Sequence, residues 1–161
     1  MILGMSLRTF TYLHVYISLI AIGAGFIVVY GMIAAKRAPL LTAVFLFMTA
    51  MTSLTGFLFP FKGVTPAIVV GLLSLLVVVI AIIAHRRSQT SGIWRGTYVI
   101  SSILALYFNF FVLIVQSFQK IPGLHVLAPT QTELPFKLAQ LVTLIVVIAL
   151  TTMAFKKYRP A

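Results

Sequence analysis

Long apolar runs alternate along this chain with short polar or proline-punctuated breaks. A bilayer core about 30 Å thick needs about 20 consecutive apolar residues per helix, and five stretches reach that length. They run over about 11–35, 39–59, 64–84, 97–118 and 136–155. The pattern predicts an all-α integral membrane protein with five transmembrane helices in a single domain, 1–161. The first run is too long, and begins too late after Arg8, to be a cleaved signal peptide, so it is read as a mature helix. Only one break is long, the segment 119–135, which lies within KIPGLHVLAPTQTELPFK (Lys120 to Lys137).

The runs also echo one another. IVVYGMIAAKR (27–37) and VVVIAIIAHRR (77–87) share five of eleven positions, and each ends a helix on a basic pair. A return helix follows in both cases, after Pro39 in one and after the SGIWRG turn (91–96) in the other. This predicts two tandem helical hairpins plus a fifth helix, although any two Val/Ile/Ala helices ending in arginine would look alike. Small residues recur at helical spacing and predict packing seams: Ser18, Ala21 and Gly25; Ala67, Gly71 and Ser74; Ser101 or Ser102, Ala105 and Asn109. Trp94, Tyr98, Tyr12, Tyr16 and Tyr158 are expected at the two membrane–water interfaces.

Composition agrees with the pattern. Of 161 residues 61% are hydrophobic and only 8% charged, against about 25% charged in a soluble domain. The net charge of +11 comes from 12 Lys and Arg against one acidic residue, Glu133. Those basic residues sit between apolar runs, so they are read as topology determinants and anchors for anionic lipid headgroups, not as a nucleic-acid surface. Lys36, Arg37, Arg86, Arg87, Arg95, Lys156, Lys157 and Arg159 gather on one side, against Arg8, Lys62, Lys120 and Lys137 on the other. The richer side is expected to be cytoplasmic, with the N-terminus outside and the C-terminus inside an inner membrane. Cysteine is absent, which excludes disulfides, thiolate metal sites and cysteine nucleophiles.

Polar residues within the spans cluster by depth. His14 and Ser18 lie near the outer end of the first helix, and Thr49, Thr52, Ser53 and Thr55 in the outer half of the second. Asn109, Gln116 and Gln119 occupy the outer half of the fourth, while Gln140 and Thr143 open the fifth. Asn109 and Gln116 are seven apart and so share a helix face. An unpaired amide in an apolar medium costs about 2–7 kcal/mol, so some of these groups must meet each other, water or a ligand. Two readings stand: interhelical glue, or an outward-opening cavity with His14, Thr52, Asn109, Gln116 and Gln140 as candidate ligand-binding residues. The segment 119–135 is then expected as a lid carrying His125, Gln131 and Glu133, with Glu133 able to pair with Arg8, Lys62, Lys120 or Lys137.

One carboxylate allows no paired-carboxylate mechanism, and no GxSxG, HExxH, P-loop or GxGxxG context is present, so the sequence argues against an enzyme. His14 and His85 fall at opposite helix ends and cannot share one haem iron. His14 with Met48 or Met51, or a metal held by His14, His125 and Glu133, remain as alternatives. The runs LHVYISLIAIGAGF (13–26) and VFLFMTAMTSLTGF (44–57) resemble a group of uncharacterised small multi-spanning bacterial membrane proteins. In that group a histidine opens the first helix and a Thr-Gly pair, here Thr55 and Gly56, ends the second. The resemblance covers about the first third of the chain and implies a multi-pass membrane protein without implying an activity. The histidine expected in the first basic turn is replaced by Lys36 and Arg37 alone. The functional expectation is a cavity for a lipid-like or quinone-like molecule, in a homo-oligomer or an accessory subunit of a larger membrane complex, with no cofactor specified. The alternatives are a small-solute transporter or channel, and a metal- or haem-binding electron-transfer module.

Overall fold

The computed structural model describes residues 2–36, 38–60, 63, 66–88 and 91–159. Arg37, Lys62 and Val64, used above for charge and span limits, lie outside the described residues. Six helices follow in order: α1 (Leu7–Ile33), α2 (Pro39–Gly56), α3 (Pro66–Arg87), α4 (Gly92–Lys120), α5 (Pro122–Leu127) and α6 (Leu134–Lys157). All except α5 are long and apolar enough to cross a membrane. The chain is therefore all-α, with five candidate spans, and it has the make-up of a multi-pass membrane protein.

The helix ends follow local chemistry. Ser6 caps α1, its hydroxyl accepting from the Thr9 N–H at 3.1 Å, which starts the helix before residue 11. At its other end α1 closes by wrapping: the Lys36 N–H donates to the Gly31 carbonyl at 2.8 Å, and Ala35 takes a left-handed φ of 53°. SGIWRG proves to be helix and not turn, because the Ser91 hydroxyl accepts from the Trp94 N–H at 3.4 Å and α4 begins at Gly92. The same helix continues to Lys120, and Ile121, held extended before Pro122, ends it. Pro122 then opens α5 at a first-turn position, where its missing N–H costs nothing. The long break 119–135 is therefore partly helical.

The closest pairings are α1 with α2 and α3 with α4, the two expected hairpins. Contacts of α2 with α3 and of α1 with α4 close these hairpins into a four-helix ring. Helix α6 lies outside the ring against α4 and α1, with Ala154 as its only buried residue, and α5 packs on α4. The core is lopsided. It takes the later halves of α1 (Ile22, Val28, Met32) and α3 (Val78, Ala81, Ala84), with Phe45 of α2 and Val99, Ile103 and Leu106 of α4. These positions all belong to the half of the ring that contains the start of α2 and α4.

Two sequence expectations change here. Tyr98 lies near the start of α4 but faces inward; it is 2% exposed, with its ring 4.7 Å from His85 and 5.6 Å from Tyr158 and its hydroxyl 3.3 Å from that of Thr42. A phenol can sit that deep because both its ring and its hydroxyl find partners. The small-residue seams also diverge. Gly25 does mark a close crossing, since a Cβ there would come within 2.8 Å of both Leu106 and Phe45. Gly71 likewise admits the Phe57 ring, which a Cβ there would meet at 3.0 Å, yet Ala67, Gly71 and Ser74 also line a cavity between the helices.

Candidate functional site

Three hydrogen bonds tie α2 to its neighbours at successive depths. Thr42 meets Tyr98 of α4 as described, Thr49 accepts from the Asn109 amide of α4 at 3.0 Å, and Thr55 lies 2.8 Å from Nδ1 of His14 on α1. Thr49 is fully buried and Asn109 nearly so, and each therefore gives the other the partner that an apolar interior denies it. The interhelical glue of the sequence reading is real at these positions.

At the far end of the ring from the core, the same helices part around a cavity of about 470 Å³. Its wall is mainly apolar, formed by residues such as Val15, Phe57, Val70, Phe108 and Val112. Into this wall α1 contributes His14 and Ser18, and α2 contributes Thr52, Ser53 and Gly56. From α3 come Ala67, Gly71 and Ser74, and from α4 come Asn109, Gln116 and Lys120. That size, with an apolar lining and a few convergent polar groups, is typical of small-molecule sites, and bundle cores are a common place for them.

The polar groups of the wall fall into two kinds. Thr52 donates to the Met48 carbonyl at 2.8 Å and Ser18 to the Val15 carbonyl at 2.8 Å, so their protons are already used within their own helices. Others are held ready. The Thr55 hydroxyl donates to the Met51 carbonyl at 2.7 Å, with the Thr52 carbonyl at 3.2 Å. Its oxygen therefore acts as acceptor toward His14, which places the imidazole proton on Nδ1 and leaves Nε2 with a lone pair. An edge contact with Phe59, at 5.3 Å and 84°, fixes the ring plane. Ser74 is 3% exposed, and its hydroxyl, sealed from the cavity by the packing around it, has no partner among the described residues. The half-buried Gln116 amide makes no hydrogen bond among the described residues.

Of the residues singled out from sequence, His14, Thr52, Asn109 and Gln116 thus share one wall. Gln140 does not join them: it sits on α6 outside the ring, where its amide donates to the Phe111 carbonyl at 3.3 Å. Of the expected lid, Lys120 and Ile121 reach the cavity wall, but the segment 122–133 lies elsewhere. His125 Nδ1 is 3.3 Å from the Phe118 carbonyl and Gln131 donates to the Val115 carbonyl at 2.8 Å, so both fasten the segment to the flank of α4 that faces away from the cavity. No residue of 122–133 is in the cavity wall. Glu133 is occupied within its own turn, accepting from the Thr130 hydroxyl at 2.8 Å and from the Thr130 and Thr132 N–H groups at 3.2 and 3.0 Å. It makes no ion pair with Arg8, Lys120 or Lys137 among the described residues. Desolvation of its carboxyl is the largest single influence and works upward, but the hydroxyl and backbone donors together outweigh it and hold the group below its ordinary value of 4.5.

Sequence reasoning treated Ser74 only as a packing residue, because one serine in an apolar helix gives no sign of whether it meets a helix or a void. Thr55 was counted among many threonines; its pairing with His14 depends on the crossing of α1 and α2. His14, His125 and Glu133 are not brought together, and no group of three metal-ligating side chains occurs among the described residues. No protein-family model, no curated protein and no solved structure matches this chain, which leaves the chemistry of its own cavity as the guide to its function.

Proposed function

We propose that this chain is an inner-membrane protein, with its N-terminus outside and its C-terminus cytoplasmic, whose cavity binds a lipid-like or quinone-like small molecule. One observation carries the reading. A mostly apolar cavity of about 470 Å³ brings His14, Asn109 and Gln116 to one wall, and the Gln116 amide makes no hydrogen bond among the described residues. Leaving a buried polar group unpaired costs about 1–3 kcal/mol, and a ligand carrying a polar ring or headgroup on an apolar body would remove that cost. The Nε2 lone pair of His14 favours a ligand that can donate a hydrogen bond, such as a hydroxyl or quinol. Apolar walls from four helices would take the remainder of the ligand.

Binding suits the bundle better than passage. Below the cavity, Phe45, Ile103 and Leu106 fill the ring, and Gly25 allows them to close on α1 without a gap. Most of α6 faces outward with large apolar side chains, a surface that suits lipid and a neighbouring subunit alike.

The test is organic extraction of the purified protein, with mass spectrometry of what is released, followed by titration with a short-chain benzoquinone. Combined Asn109→Leu and Gln116→Leu substitution should weaken quinone binding about tenfold or more, a loss of roughly 1.4 kcal/mol. Absence of any saturable binding by the unaltered protein would sink the reading. Alkaline phosphatase inserted within 124–132 should be active, and an inactive reporter there would reverse the topology.

A further inference from the structure

The polar groups of the larger cavity are not spread evenly along it. Helices α1 and α4 cross at Gly25 and Leu106 and run in opposite directions. Outward from that crossing, His14 lies eleven residues along α1 (25 to 14) and Ser117 eleven along α4 (106 to 117), roughly 16 Å in each case. His14, Gln116 and Lys120 therefore gather within about one turn of each other at the outer end. Resting on the small-molecule reading proposed above, we infer that the ligand is a single-chain anionic lipid with a free hydroxyl beside its charged group. Its head lies at Lys120, and its chain runs inward along Phe108 and Val112.

The charge of the wall selects an anion. Lys120 is its only Lys, Arg, Asp or Glu among the described residues, and the ammonium makes no hydrogen bond or ion pair among them. The single carboxylate of the chain, Glu133, is committed to Thr130 and Thr132 on the other flank of α4. Arg8, also at this end, is turned onto Tyr12, its Nε donating to the phenol oxygen at 3.3 Å. Helix dipoles leave the balance unchanged, because α1 and α3 begin at this end while α2 and α4 finish there. One unopposed cation at the mouth of an apolar cavity focuses its field on whatever enters.

The uncharged groups select the rest of the head. Gln116 stands four residues before Lys120 on the same helix face, and its unpaired amide offers two donors and a carbonyl. Nε2 of His14 is an acceptor and meets an anionic oxygen poorly, so the head must carry a donor as well. A free hydroxyl supplies it. Deeper in, Ser18 and Thr52 are bonded within their own helices and Asn109 to Thr49, which leaves an essentially apolar surface for a chain. A cavity of about 470 Å³ falls in the lower part of the range of about 300–1,000 Å³ typical of small-molecule pockets, room for one chain and not two.

The experiment uses the full chain in neutral detergent, offered equal amounts of lysophosphatidylglycerol and lysophosphatidylcholine of one chain length and read by native mass spectrometry. Both carry one chain and a free hydroxyl, and they differ in net charge. The anionic lipid should bind about fivefold more tightly, the upper end for a single solvent-exposed charge pair. Lys120→Gln should abolish that preference and Lys120→Arg should keep it. Lys137→Gln, at the same end but outside the wall, should leave it within about twofold. Gln116→Leu should weaken both lipids alike, and two-chain phosphatidylglycerol should compete poorly with its one-chain form. Equal binding of the two lysolipids, equal binding of the one-chain and two-chain forms, or equal loss in Lys120→Gln and Lys137→Gln would overturn the inference. If a benzoquinone still binds saturably in that event, the cavity keeps its role and only the ligand class fails; if nothing binds, both fail. Lys120 is exposed, so its variants fold and decide the matter.

Discussion

The two halves of the helical ring are built from the same four helices, yet Gly25 in one and Gly56 in the other are put to opposite use. In the half around Phe45 and Leu106, Gly25 removes a side chain so that neighbours can close in, to within 2.8 Å of where its Cβ would be. In the half around His14, Gly56 removes one so that space remains, and the nearest atom to a Cβ there would be His14 Cε1 at 3.6 Å. Polar groups do not divide this way: Thr42 pairs with Tyr98 in the filled half and Thr55 with His14 in the hollow half, and each half buries a hydroxyl without a partner among the described residues, Ser102 and Ser74. Filling a membrane bundle gives no hydrophobic gain over lipid, so tight contact must come from dispersion and hydrogen bonds. A half that forgoes the tight packing has some other use for the space.

The largest test of that contrast is a matched pair of substitutions. Gly25→Leu forces a branched side chain into the Leu106 and Phe45 rings of contact and should destabilise by about 3 kcal/mol, the upper part of the usual overpacking range. Gly56→Leu should cost less than about 1 kcal/mol, because it grows into the cavity and removes a helix-weakening glycine. It should also abolish ligand binding. Melting temperatures in detergent give both stabilities, and equal losses would erase the distinction between the halves.

A smaller effect is expected where the halves meet, at Asn109 and Thr49. Asn109→Leu and Thr49→Val should each destabilise by about 0.6 kcal/mol, the average for such bonds between membrane helices, and by no more than roughly 1.7 kcal/mol. The double variant should lose less than the sum, since neither partner is then left unpaired. Strict additivity in this cycle would show that the 3.0 Å contact carries no coupling.

How far the chain could be read in advance follows the same division. Five apolar runs specify five helices because length and hydropathy are local properties, and Pro122 and Pro39 set boundaries by removing an N–H. The start of α4 was misplaced because glycines in SGIWRG suggest a turn, while the cap at Ser91 outweighs them. His14, Thr52, Asn109 and Gln116 could be grouped by depth alone, since helices that cross a membrane side by side bring equal depths together. Depth does not give azimuth. Gln140 has a suitable depth but belongs to α6, outside the ring, and the segment 122–133 could fall on either flank of α4. Only the packing of α6 against α4 decides that it lies away from the cavity, and no pattern within the segment records that choice.

The smallest effect, at Glu133, bears on that last point. Its carboxyl is held below 4.5 by donors from Thr130 and Thr132, so the turn gains stability wherever the carboxylate is charged. That gain is complete above pH of about 4.5 and is lost as pH falls through the depressed folded value. Amide exchange at Thr130 and Thr132 should therefore accelerate in acid, and Glu133→Gln should make it fast at every pH. Quinone binding in the cavity should not change in that variant, because the turn sits on the other flank of α4. If binding fell along with the protection of Thr130, the segment would have to reach across to the cavity mouth, and the hollow half would have a cover that its present wall does not include.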